Sequence, residues 1–298
     1  MPATDPFDLR AVEQPIANTE FAGHLMHFAT VASTNDLALQ SARSGVRHGV
    51  WIADEQTAGR GRGNHAWHSA PGDGLYITAL ISPSIPMQSA LGLAFTTAIA
   101  AQSAISSVTG FRRRDQIDIR WPNDLLLTGK AGIARKCGGI LIDTASNHAT
   151  SSAPATLRYA VIGIGINVNH AIFPPELDPI ATSLRRELPD PLALRQESFT
   201  RSVENSTKCL RREPLAAAIL LALDDEIRRL TSNIEPRTSD LTQFSSWISG
   251  KRVRVETRDN DPGGYTGITA GLNPSGFLLV HGDDGQLHTV LSGGLREP

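Results

Sequence analysis

Residues 54–69, DEQTAGRGRGNHAWHS, set Gly59, Gly61 and Gly63 on alternate positions with Arg60 and Arg62 between them. Glycine lets backbone N–H groups approach a ligand closely, and guanidinium groups give planar, multi-donor contacts to phosphate or carboxylate. The pattern suits an anion, although the same composition also describes an exposed loop. Neither common nucleotide signature is complete. Gly129-Lys130 runs on to Ala131 rather than Ser or Thr, and GIGIN at 163–167 is followed by Val168 where a dinucleotide fingerprint has its third glycine. Further along, RWPND (120–124) offers Asp124 either as a turn-capping carboxylate or as a hard oxygen ligand for a divalent cation. In KCGGIL (136–141), Lys136 is a compact cation beside Gly138 and Gly139, which either admit a ligand or simply mark a bend or bulge.

These groups need elements to position them. The chain has 298 residues, 40% hydrophobic, enough for one large or two modest globular domains. Its 28 basic and 30 acidic side chains give a formal charge of -2, with no electrostatic reason to bind nucleic acid or an anionic membrane nonspecifically. No run approaches the ~20 apolar residues that span a bilayer, and MPATDPFDLR lacks the layout of a signal peptide, so a cytoplasmic protein is expected. Cys137 and Cys209 make neither a disulfide framework nor a zinc set.

Residues 1–25 are Pro-containing and aperiodic, a mobile leader or a surface arm. In VASTNDLALQSARSG, Ser33 or Thr34 can cap a helix that Gly45 stops. GVWIADEQ and GLYITALISP are strand-like, and 86–108 is an Ala-rich, core-facing helix opening with Pro86. DIRWPNDLLLT, GGILIDT and RYAVIGIGINVN follow as three strand-like runs, the last two separated by the small-residue loop ASNHATSSAPAT. Two helical stretches are expected over 190–232, punctuated by Pro214. Past a boundary near 240, short β-rich runs alternate with PGG, NPSG and GDDG turns, as in a small antiparallel barrel.

STN (33–35), EQTAGRGR (55–62), RWPND (120–124), KCGGIL (136–141) and VIGIGINVN (161–169) occur in the order found in biotin-protein ligases, which the chain resembles over roughly residues 26–295. The resemblance implies an α+β fold: a catalytic domain over 26–240 built on a mixed sheet with flanking helices, like class II synthetases, then an SH3-like domain over 241–298. It implies an ATP-dependent, Mg2+-assisted enzyme that adenylates biotin and passes it to a lysine of a biotin carboxyl carrier protein. By position, Ser33, Thr34, Asn35 and Gln56 would read the polar head of biotin, with helix capping the rival role for Ser33 and Thr34. Arg60, Gly61 and Arg62 would grip biotin and the adenylate in a loop that orders over them and excludes water. Lys136 would contact the biotin carboxylate and the α-phosphate, with Gly139 beside it. Asn123 and Asp124 would serve the nucleotide, Asp124 as the Mg2+ ligand and later as orienter of the acceptor amine. Asn167 would meet the nucleotide, supported by Asn169. Trp67 would stack on adenine or anchor a strand.

Departures from the family pattern are equally specific. Gly63, Asn64 and His65 stand where a third arginine is common, and Asp143 stands where glutamate is more usual. Leu295 follows the late GG in place of an acidic residue. The stretch between WPND and the lysine is long, which makes Lys130 a second candidate; Lys136 is preferred because only it precedes xxGIL. Some relatives also act as DNA-binding repressors through an N-terminal winged helix, which the leader is too short to supply, so no DNA binding is expected. A lipoate or octanoyl transferase of the same broad fold is the other alternative, and monomer and homodimer are both open.

Overall fold

The computed structural model describes residues 6–129, 131–147, 154–188, 209–232, 243–256, 264–273, 276–291 and 293–298. Two sheets organise it. The larger runs β1-β2-β3-β7-β6-β5-β4, with β1 (Leu25–Val31) parallel to β2 (Gly49–Gln56) and every other pair antiparallel. Its remaining strands are β3 (Gly74–Ile81), β4 (Ile117–Arg120), β5 (Asp124–Thr128), β6 (Ala134–Ser146) and β7 (Leu157–Asn167).

Period-two alternation gives this sheet two different faces. On one, Leu75, Ile77, Ala79 and Ile81 of β3 join Ala160, Ile162, Ile164 and Ile166 of β7 in the main core, under α3 (Gly92–Thr109) and α5 (Arg212–Thr231). On the other, Leu80, Tyr159 and Val161 pack beneath α2 (Thr34–Arg43) with Trp51, Ala38 and Ala42. Continuing along β7 on that second face come Gly163 and Gly165, over which lie Asn35, at the start of α2, and Trp67. The site lies there.

Ser33 caps α2, its side chain accepting from the Asp36 N–H, and Gly45 follows the helix with φ +101°. The run DIRWPNDLLLT is not one strand but a hairpin, β4 and β5, because Pro122, in a cis peptide with Trp121, interrupts it at the turn. The short α4 (Leu184–Glu187) ends before 190, and only one helix, α5, falls in the described part of 190–232, with Pro214 in its first turn, where a missing N–H costs nothing; 189–208 lie outside the described residues. Residues 6–24 pack rather than dangle: α1 (Leu9–Glu13) lies against α5, and Phe7, Val12, Ile16 and Phe21 are buried. Their backbone is held by α5 carboxylates, Asp8 N–H on Glu213 and Glu20 N–H on Asp224.

The expected boundary at 240 lies outside the described residues. Beyond it, β8 (Ser249–Glu256), β9 (Tyr265–Leu272), β10 (Leu278–Gly282), β11 (Leu287–Val290) and β12 (Gly294–Arg296) form an antiparallel sheet in the order β11-β10-β9-β8-β12. Residues 244–248 join it to the larger sheet: Gln102 donates to the Phe244 carbonyl, Ser245 to that of Ile119, and Ser246 to Asp118. Among the described residues no helix is long and apolar enough to cross a membrane.

Just past β7, His170 is fully buried, stacked on Phe173 with ring centroids 5.0 Å apart and its Nε2 3.5 Å from the Tyr76 hydroxyl. Burial, helped by His68 and Arg186, pulls its pKa down to about 4. In the unfolded chain the group titrates near ~6.5. The unfolded state therefore takes up a proton that the native state refuses, and stability present above about pH 6.5 is lost as the pH falls toward about 4. Replacing His170 by phenylalanine, which keeps the stacking shape, should flatten the dependence of the thermal midpoint across that window. An unchanged slope in a pH series of melts would exclude the assignment.

Candidate active site

The cleft on the second sheet face encloses about 450 Å3, open solvent at its mouth included. Its floor is backbone. A Cβ on Gly163 would stand 2.0 Å from Asn35 Oδ1, and one on Gly165 2.6 Å from Trp67 Nε1. Asn35 and Trp67 thus lie over successive same-face positions of β7, about 7 Å apart. Without side chains there, Asn35 and Trp67 can approach the strand backbone, and the cleft lies beside them.

At the Asn35 end the polar groups form a network. Gln56 Oε1 accepts from Thr34 N (2.9 Å) and Thr34 Oγ1 (3.0 Å). Thr78 Oγ1 lies 2.8 Å from Thr34 Oγ1 and 2.7 Å from Asn35 Oδ1. Ser33 both caps α2 and lines the cleft, so its two readings hold together. Asn35 Nδ2 is buried with no partner among the described residues, and the same is true of Trp67 Nε1 at the other end. Two donors left unpaired beside one cleft call for acceptors on a ligand, because an unpaired buried donor costs about 1–3 kcal/mol.

Lys136 reaches the other end through a β-bulge. Leu125 pairs with Gly138 but Leu126 with Lys136, so Cys137 is an extra residue. Cys137 and Gly138 then face the core, while Lys136 and Gly139 share the cleft face, which strict alternation would forbid. The Lys136 ammonium is 2.6 Å from Asp124 Oδ1 and 5.3 Å from the centre of the Trp67 ring. Arg120 holds the other carboxylate oxygen at 2.6 Å. Burial alone would raise the Asp124 pKa, but Lys136 and Arg120 together outweigh it and hold the group below its ordinary value.

In this structure Asp124 faces two cations rather than the cleft. Both its oxygens are committed to cations, Asp124 does not line the cleft, and the described residues contain no group of three or more His, Cys, Asp or Glu able to hold a metal. Its role here is to aim Lys136. Lys130, the other lysine candidate, is outside the described residues.

The Gly-Arg loop is closed over the cleft. Trp67 N–H bonds to Gly59 O at its neck and Gly61 N–H to His65 O at its tip, with a single 3-10 turn, Arg62–Asn64, between. Gly63 sits at φ 62°, in the left-handed region, so glycine at the place of the family's further arginine serves the turn. Arg60 pairs with Asp36 of α2 at 2.8 Å and lies 3.6 Å from Asp143 of β6, while Arg62 donates to Asn123 Oδ1 and to Gly293 O of the C-terminal sheet. Asn123 in turn donates to Ile140 O. Arg60, Gly61, Arg62, Asn123 and Trp67 therefore all meet at the cleft.

Asn167 does not. It is buried and donates to Thr182 O, and Asn169 is bound to the backbone of Leu210 rather than to Asn167. Trp67 lies on the glycines of β6 and β7 and under the Lys136 ammonium, a seat the adenine reading did not anticipate. Thr78, Tyr76, Ser69, Asp36 and Arg120 were missed. Thr78 and Tyr76 were detectable only as polar tips inside an apolar strand run.

Two family models match the chain: the Biotin/lipoate A/B protein ligase family over residues 27–167 and the Biotin protein ligase C terminal domain over 248–293. The bifunctional ligase/repressor BirA of Bacillus spizizenii is 38% identical over 272 residues, covering 90% of this chain and 72% of the relative. The biotin--[acetyl-CoA-carboxylase] ligase of Mycobacterium tuberculosis is 28% identical, covering 89% and 85%. Among solved structures, the fold is shared with the biotin protein ligase from Aquifex aeolicus in complex with biotin and ATP, at TM-score 0.64 and 22% identity over 93% of this chain and all of that one.

Proposed function

The chain belongs to the biotin protein ligase family and is a biotin-protein ligase; we propose that it activates biotin with ATP and passes the acyl group to a lysine of a biotin carboxyl carrier protein. In the first step a carboxylate oxygen of biotin bonds to the α-phosphorus of ATP, the α–β bridging bond breaks, and pyrophosphate leaves. In the second, the deprotonated acceptor amine bonds to the acyl carbon and AMP departs.

The observation that carries this reading is Lys136, aimed by Asp124 at one end of a glycine-floored cleft whose other end holds Thr34, Asn35 and Gln56. Two anions must be brought together in the first step, so a fixed ammonium, already positioned before the substrates arrive, lowers their mutual repulsion without reorganising. The polar end suits a head group with both donors and acceptors, and Asn35 Nδ2 supplies an unpaired donor there. Closing the loop keeps water from a hydrolysable acyl phosphate. Magnesium would enter with the nucleotide and neutralise charge on its phosphates.

Incubation with ATP, magnesium, biotin and a carrier domain, followed by intact mass, should show one biotinyl group added to the carrier. An unmodified carrier, or one that takes lipoate instead, would refute the proposal.

A further inference from the structure

Beyond the cleft wall lies a hydrogen-bonded chain that runs from the loop neck to the head-group end. Ser69 is buried, and its Oγ donates to the Trp67 carbonyl at 3.1 Å while accepting from Gln56 Nε2 at 3.0 Å. The direction is fixed by chemistry. A hydroxyl has one hydrogen, and a carbonyl can only accept it, so the Ser69 lone pairs face the Gln56 amide nitrogen. At the far side of that amide, Thr34 N–H can only donate, which turns Gln56 Oε1 toward it. Both ends of Gln56 thus agree on one orientation.

The first glycine of the loop belongs to the same construction. A Cβ on Gly59 would stand 2.6 Å from Trp67 O, 2.7 Å from Ser69 Oγ and 3.2 Å from Gln56 Nε2, so the chain passes directly over this junction. Trp67 N–H closes the neck on Gly59 O at 2.8 Å. Opening the neck would draw the Trp67 carbonyl away from Ser69 and release one anchor of Gln56.

We infer that Ser69 is a positioning residue that couples closure of the 59–67 loop to the orientation of Gln56 and Thr34 at the head-group end of the cleft. The inference rests on the ligase reading above. Its effect is reciprocal: a ligand that fixes Gln56 favours the closed neck by the same factor that a closed neck favours the ligand.

The test compares the full chain with Ser69→Ala by initial rates and by trypsin cleavage after Arg60 and Arg62. In Ser69→Ala the KM for biotin should rise by about ten-fold while the KM for ATP moves by less than about two-fold, and saturating biotin should no longer slow cleavage of the loop. If the alanine variant does not fold, Ser69→Thr and Ser69→Val make the same comparison, since they share a shape and differ in the hydroxyl. A biotin KM unchanged in Ser69→Ala, an equal rise in both KM values, or equal biotin KM values for the threonine and valine variants overturns the inference. Wild-type protein that transfers no biotin overturns the ligase reading and this inference with it.

Discussion

Lys136→Ala is expected to slow biotin-dependent exchange of pyrophosphate into ATP by roughly 10³-fold, with the fold intact. The lysine is half-exposed and lies beside, not within, the core, so its removal leaves no large cavity. What disappears is the cation that Asp124 fixes on the cleft face of β6, while Asp124 keeps Arg120 as a partner. Arginine is a poor substitute. A planar fork does not fit the single 2.6 Å contact to Asp124 Oδ1 beneath the Trp67 ring. Exchange within ten-fold of wild type in Lys136→Ala, especially with a collapse in Lys130→Ala, would show that the bulge at Cys137 does not bring the reacting lysine to the cleft.

Gly163→Ala is expected to raise the KM for biotin by about 30-fold and to destabilise the protein by roughly 1–3 kcal/mol. Its methyl group would fall 2.0 Å from Asn35 Oδ1 and 2.7 Å from Cγ. A long, exposed side chain would yield cheaply, but Asn35 is short, buried, held by Thr78 and placed in the first turn of α2. Either the amide turns and breaks its bond to Thr78, or the whole helix start moves and takes Thr34 with it. Biotin titrations and thermal melts would register both effects. A variant with native affinity for biotin would mean that Asn35 has no part in binding it.

The sequence made the residues around the cleft legible because they sit in short polar or glycine-rich runs that interrupt apolar strands: STN, the Gly-Arg loop, WPND and KCGG. It could not forecast parity across an irregularity. Lys136 and Gly139 share a face only because Cys137 is bulged; the two glycines after it signal a bend or bulge, but not which residue is the extra one. The hairpin β4–β5 was hidden for a similar reason, since its turn is made of residues that also suit a strand end. Pairings distant in sequence were equally silent: Arg60 with Asp36 and Asp143, or Asn169 with Leu210, depend on which elements the topology brings side by side. Residues 6–24 are apolar at Phe7, Val12, Ile16 and Phe21, a spacing too irregular to signal a helix yet sufficient to bury them against α5 and the sheet.

The seat of Trp67 ties three positions together. Its indole occupies the room that side chains at Gly165 and Gly139 would need, 2.6 Å and 3.1 Å from where their Cβ atoms would fall. A methyl group at 165 would drive the ring from its seat, while one at 139 asks it to give by a few tenths of an ångström. Any shift of the ring in turn moves the surface on which the Lys136 ammonium rests, so changes at 139 and 165 are felt at the lysine without touching it.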